Sequence, residues 1–185
     1  MDVRTAVENR RAYRSLDPVK IDKKLANELA GTAQIFCSCF NDQPWRYVFV
    51  YEDEMLSKVK DSLSKGNEWA RNASMIAAVF SKKDYDCIMP DGREYFLFDT
   101  GMATGAMILR ATELGLVAHP IAGYDQAKAK AVLNIPEDHI LITLIIFGKH
   151  AVDIKPQLNP RQAEAEKARP ERFPLEKIAF HNMYK

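Results

Sequence analysis

"HILITLIIFGKH", residues 139–150, contains the longest apolar run in the chain, and its reading decides the fold. Thr143 interrupts the run, and residues 140–147 fall far short of the roughly 20 apolar residues a bilayer crossing needs. It reads instead as a buried β-strand. "SMIAAVFS", residues 74–81, reads the same way, buried on both faces. "RYVFVYED", residues 46–53, is rich in aromatic and β-branched side chains and reads as a further strand, while "VAHPIAGY", residues 117–124, is a short strand running into a turn. Three buried strand candidates argue against a structural helical partner protein.

Helical spacing fills the intervals. Asp22 is a suitable N-cap for a helix over residues 22–36, in which Leu25, Leu29, Ala33 and Phe36 recur on one side. A polar amphipathic helix is expected over residues 53–65 and another over residues 125–135. "EYFLFDTGMATGAMILRATELGL", residues 94–116, is apolar nearly all round, which marks a central buried helix. Its Gly101, Thr104, Gly105 and Ile108 offer a narrow face that another helix can approach. Residues 82–94 read as a loop, with Asp91-Gly92 as the turn signal.

The chain's 185 residues fit one domain, residues 1–185, of ordinary globular composition, 47% hydrophobic and 28% charged. Lys and Arg number 26 against 25 Asp and Glu, so the global balance points to neither nucleic acid nor an anionic membrane. Three cysteines form no even disulfide framework, and the N-terminus lacks the apolar core of a signal peptide. The default setting is reducing and cytoplasmic. Residues 150–185 change in character: much charge and little periodicity, yet Phe173, Leu175, Ile178, Phe180 and Tyr184 are retained. Such a tail is suited to wrap something, most simply a second copy of the chain.

No metal constellation stands out, because Cys37-x-Cys39 lacks a second pair and the four histidines are scattered. No nucleophile elbow, P-loop or dinucleotide-binding glycine pattern is present. The strongest charge signal is "NRRAYR", residues 9–14, with Arg10, Arg11 and Arg14. Guanidinium forks bind phosphate oxygens in pairs, so the cluster suits a phosphomonoester; a solvated helix end offsetting the helix dipole is the plainer alternative. A second basic group, Lys167, Arg169 and Arg172, lies in the tail. "FNDQPW", residues 40–45, reads as a rigid polar ledge, since Pro44 fixes the chain and forces Gln43 towards an extended conformation, and Asn41 and Gln43 both donate and accept hydrogen bonds.

Taken in order, "RRAYR" (10–14), "SCFNDQPWRYVFV" (38–50), "GNEWARNASMIAAVF" (66–80), "DTGMATGAMILRATELGL" (99–116), "HPIAGY" (119–124) and "RPERFPLEKI" (169–178) resemble the compact members of the FMN-dependent nitroreductase family. The resemblance implies an α+β fold with a mixed or antiparallel central β-sheet flanked by helices. It also implies an intertwined homodimer in which the tail wraps the partner subunit and FMN is bound at the interface by both chains. Within that frame Arg10 would hold the phosphate, with Arg11 and Ala12 in the same motif, and Arg14 would lie near the pyrimidine end of the ring. Ser38 and Asn41 on the ledge would face the flavin, Ser38 from the partner chain, and Asn67 would meet the pyrimidine edge. Pro120, Ala122 and Gly123 would form the turn along the isoalloxazine, and Arg172, with Arg169, the C-terminal phosphate anchor.

Three departures stand beside the matches: Ala12 where many members have Ser, Cys37 for a usual Pro, and Ala122 for a Glu found in some. The implied activity is hydride transfer from NAD(P)H to FMN N5 and on to a nitroaromatic, quinone or similar small-molecule acceptor by a ping-pong mechanism, with no catalytic side chain. Two alternatives remain: a specialised, dehalogenase-like flavin enzyme of the same fold, for which residues 82–96 make a short lid, and a non-catalytic phosphate- or nucleotide-binding module.

Overall fold

The computed structural model describes residues 1–184. Eleven elements of helix and strand occur in the order α1 (Val3–Asn9), β1 (Leu16–Asp17), α2 (Lys23–Gln34), β2 (Arg46–Val50), α3 (Asp53–Lys60), β3 (Met75–Ser81), α4 (Tyr95–Glu113), β4 (Val117–Ile121), α5 (Gln126–Leu133), β5 (Ile140–His150) and α6 (Pro160–Lys167). The run at residues 139–150 is the organising strand: β5 pairs antiparallel with β3, β4 and β1. β2 completes the sheet on β3, also antiparallel, so every ladder in the described residues is antiparallel.

Alternation along the buried strands builds the two cores. Met75, Ala77 and Val79 of β3, with Ile145 and Phe147 of β5, face α2 and α4 through Leu29, Ala33, Ala103, Met107 and Ala111. Ile76 and Ala78, with Leu144 and Ile146, face the other way onto Leu56 and Val59 of α3 and Ala129 of α5. The result is three layers, helices on both faces of one antiparallel sheet, which accounts for strands that read as continuous apolar runs. Gly148 ends the apolar run in β5 because β1 lies close there; a Cβ at that position would sit 3.2 Å from Leu16 Cβ.

The caps follow the sequence. Asp22 accepts from Leu25 N and starts α2, and Asp125 accepts from Lys128 N and starts α5. α3 is shorter than its polar pattern suggests, ending at Lys60, because residues 61–64 turn to meet Tyr124 and Gly123 through a Leu63–Tyr124 bridge and a Ser64 N to Gly123 O bond. No helix among the described residues is long and apolar enough to cross a membrane.

The tail divides in two. Residues 151–169 fold back on their own chain: Lys155 N donates to Ser15 Oγ, and α6 opens with a full capping box, Asn159 and Gln162, with Pro160 in the first turn. Beyond it Phe173, Leu175, Ile178 and Met183 are each more than 60% exposed, with no home in this chain.

Candidate functional site

α1 ends at Asn9, and the chain runs extended through residues 10–14 to β1. α6 lies across this segment, held by one buried carboxylate. Glu166, 7% exposed, accepts from Arg14 N at 2.8 Å and from Ser15 N at 3.2 Å, satisfying two backbone donors that no ladder reaches. Between the two segments and residues 169–172 lies a cavity of about 440 Å³ lined by six arginines, Arg10, Arg11, Arg14, Arg161, Arg169 and Arg172, together with Ala12, Asn159, Gln162, Ala165 and Pro170, and by no acidic side chain.

The six guanidinium groups do different work. Arg11 donates to Ala165 O at 2.7 Å and Glu166 O at 3.3 Å, closing the C-terminal end of α6, and lies over the Tyr13 ring. Arg169 donates to Glu8 O at 2.6 Å and Arg10 O at 2.7 Å, capping α1. Arg172 makes only a long 3.4 Å contact with Pro170 O, and among the described residues the side chains of Arg10, Arg14 and Arg161 have no hydrogen-bond or ion-pair partner. The Arg10 guanidinium is held below its ordinary pKa by burial and then by the charges of Arg169 and Arg172. Arg14 is lowered by burial, opposed by Glu166 and reinforced by Arg161. Half-buried, mutually repelling cations that form no ion pair suit an anion with several oxygens.

A second corner adjoins it. Asn67 Nδ2 donates to Gly123 O at 2.8 Å, and Asn67 Oδ1 accepts from the indole of the buried Trp69 at 3.2 Å. The approach is so close that a Cβ on Gly123 would lie 2.4 Å from Asn67 Nδ2. Pro120 and Ala122 belong to the same stretch, at the end of β4 and just beyond it. Trp69 joins this corner to the arginines, since Arg14 lies 5.8 Å from its ring centroid and His119 stacks on it at 4.6 Å. Gln162 of α6 adds a bond to Gly66 O at 2.8 Å. His119 Nδ1 lies 3.0 Å from Tyr13 O, and burial pushes its pKa down to about 4, so the ring is neutral at neutral pH with Nδ1–H donating to the carbonyl.

The ledge stands apart from both corners within one chain. Phe40, Asn41 and Gln43 have φ of 48°, 63° and 50°, three left-handed residues without glycine, with Asp42 right-handed between the last two; Gln43 is therefore not extended, contrary to the expectation from Pro44, because its amide turns back to Ser38 Oγ. The ledge is held by Ser38 Oγ accepting from Gln43 N at 2.9 Å, by Asp99 accepting from Cys39 N at 2.6 Å, and by Ser81 Oγ donating to Pro44 O at 2.7 Å. Phe40 is 88% exposed at its tip. Of the residues singled out in the sequence, Arg10, Arg11, Ala12, Arg14, Arg169 and Arg172 share the cavity, Asn67, Pro120, Ala122 and Gly123 share the adjoining corner, and Ser38 and Asn41 line neither. Arg161, Gln162, Trp69 and Glu166 were not singled out, although the Asn-Pro-Arg-Gln signature at residues 159–162 announces the helix that carries three of them.

The fold is a three-layer antiparallel α+β domain whose candidate site is an arginine cavity beside a buried amide corner. The profile of the nitroreductase family matches residues 7–149, and the chain belongs to that family. A crystal structure described as an oxidoreductase containing FMN superimposes with a TM-score of 0.85 at 26% identity, covering 100% of this chain and 94% of the other. A nitroreductase family protein from Clostridium difficile 630 shares the fold with a TM-score of 0.79 at 23% identity over the full length of both chains. Among curated sequences, a Bacillus subtilis protein provisionally named NAD(P)H nitroreductase YdgI is 25% identical over 186 aligned positions, spanning 81% of this chain and 89% of its own.

Proposed function

We propose that this protein is an FMN-dependent NAD(P)H oxidoreductase acting as a homodimer. The observation that carries the reading is the cavity whose guanidinium groups Arg10, Arg14, Arg161 and Arg172 form no ion pair, because a phosphomonoester dianion answers their charge and their unfilled donors together. The FMN-containing structural relative supports the same choice of ligand.

In this reading Arg10 and Arg172 grip the phosphate, while Arg169 holds α1 in place and Arg11 holds α6. Asn67 and the backbone of residues 120–123 border the ring, and Arg14, over Trp69, places positive charge beside it. When bound, FMN supplies the redox chemistry, accepting hydride from NAD(P)H and passing electrons to a nitroaromatic, quinone or similar acceptor. The side chains orient and charge the site rather than exchange protons. His119, neutral and bonded to Tyr13 O, has no mobile proton to give at neutral pH. One open face serving donor and acceptor in turn gives ping-pong kinetics.

The second chain is supported by apolar surface that this chain leaves bare. Leu97 and Phe98 of α4 are exposed, a Cβ on Gly101 or Gly105 would meet nothing, and the apolar side chains beyond Arg172 point to solvent. A partner seated there would bring its own Ser38 and Asn41 to the ring.

The test is direct. Purified protein should be yellow, sediment as a dimer and lose flavin colour anaerobically with NADH or NADPH. Arg10→Ala should weaken FMN binding by about 1.5–3 kcal/mol, one to two decades in Kd by fluorescence titration. Colourless protein that reconstitution with FMN leaves unchanged refutes the reading and favours a module for another phosphate.

A further inference from the structure

The ledge and the loop before α4 meet at a cluster that the arginine cavity does not involve. Cys39 Sγ, Cys87 Sγ and a carboxylate oxygen of Asp86 all lie within 4.8 Å of one another. Asp86 is only 6% exposed; its Oδ1 accepts from Cys87 N at 2.7 Å, and its Oδ2 has no partner. Behind it Asp99, 1% exposed, accepts from Cys39 N through Oδ2 at 2.6 Å, and its Oδ1 is also unpartnered. No cationic side chain pairs with either carboxylate among the described residues. Two buried carboxyls that face one another, each with a bare oxygen, call for either a shared proton or a bound cation, and the two thiols beside them supply further donors for a cation.

We propose that Cys39, Asp86 and Cys87 form a zinc site that clips the ledge to the loop ahead of α4. Two thiolates and a carboxylate are a donor set for a borderline-soft dication, and zinc accepts three protein ligands with water in the fourth position. Around a tetrahedral zinc with bonds of about 2.0–2.3 Å the donor atoms stand about 3.5–3.8 Å apart, so small side-chain rotations close the cluster. Binding replaces the two thiol protons with zinc–sulfur bonds and releases them to solvent. Asp99 stays outside the metal and holds the Cys39 amide, fixing the direction from which that thiolate approaches. Cys37, exposed and outside the cluster, takes no part, so the close Cys37-x-Cys39 spacing is incidental. The metal would tie down a left-handed turn at Phe40 and Asn41 that no glycine relieves.

Cobalt is the probe, because tetrahedral thiolate sites give it intense bands at wavelengths beyond those the oxidised flavin absorbs. Full-length protein, reduced and freed of metal with a chelator, should bind one cobalt per chain and release it to one equivalent of zinc. Cys39→Ser and Cys87→Ser should each abolish the bands, Asp99→Asn should weaken binding by about 10–100-fold, and Cys37→Ser should change nothing. Should a cysteine variant fail to fold, alkylation of the wild type decides: zinc must protect Cys39 and Cys87 while Cys37 reacts. Absence of saturable cobalt binding after reduction, bands that survive Cys87→Ser, or alkylation unaffected by zinc overturns the proposal. A Cys39–Cys87 disulfide in protein that binds no cobalt once reduced does the same.

Discussion

Gly123→Ala should act through Asn67 alone, and a double-mutant cycle measures this. The added Cβ would lie 2.4 Å from Asn67 Nδ2, inside any tolerated contact, while its other neighbours, at 3.6 Å or more, are in ordinary range. The Gly123 backbone is not left-handed, so the substitution carries no backbone penalty of its own. Asn67 must therefore swing away, losing its bond to Gly123 O and leaving the Trp69 indole, in a side chain 1% exposed, without its acceptor. Gly123 O keeps Ser64 N as a donor, so the main cost is the orphaned indole, about 1–3 kcal/mol. Asn67→Ala removes the same acceptor and should cost about as much. On that background Gly123→Ala meets no amide, so the double variant should be no less stable than Asn67→Ala, a coupling of about 1–3 kcal/mol in urea unfolding midpoints. If Gly123→Ala costs the same with and without Asn67, the corner is not organised as described. The same variants should lose flavin together, since both displace one amide.

Two further predictions concern the supports of the cavity. Glu166→Ala leaves Arg14 N and Ser15 N without their acceptor and should destabilise the fold by about 2 kcal/mol or more, whereas Glu166→Gln, which keeps one oxygen, should cost less; chemical denaturation compares the two. His119 has a folded pKa of about 4 against an ordinary 6.5, so the unfolded chain binds the extra proton between those values. Its contribution to stability is complete above about pH 6.5 and is lost as pH falls towards about 4, amounting to roughly 3 kcal/mol at most, and His119→Gln should flatten that part of the stability–pH curve.

Most of the fold was legible because the two periodicities that define it survive in the sequence. Residues 74–81 and 140–147 are apolar on both faces because helices cover both faces of the sheet, and Asp22 and Asp125 cap where their helices begin. β1 escaped notice because two residues carry no period, and its place is set by Gly148 on the distant strand it meets. α6 escaped because it has no apolar stripe: its one buried residue is Glu166, and a helix docked by a carboxylate leaves no hydrophobic pattern to read. Its capping box was the available signal.

For the candidate site, the sequence shows which residue types are present but not which side chains stay free, for a physical reason. Arginines at residues 10, 11 and 14 announce an anion, but whether a guanidinium is free depends on which carbonyls the fold brings to it. Arg11 and Arg169 are adjacent in sequence to Arg10 and near to Arg172, yet both are spent on helix ends, while their neighbours stay open. The same holds for the thiols. Cys37 and Cys39 look like a pair because they are close along the chain, but the fold sets Cys39 beside Cys87 and leaves Cys37 in solvent. Local spacing predicts a shared site only where the backbone between the residues is regular. Here the thiols that meet, Cys39 and Cys87, come from the ledge and from the loop before α4, and only the folded chain brings them together.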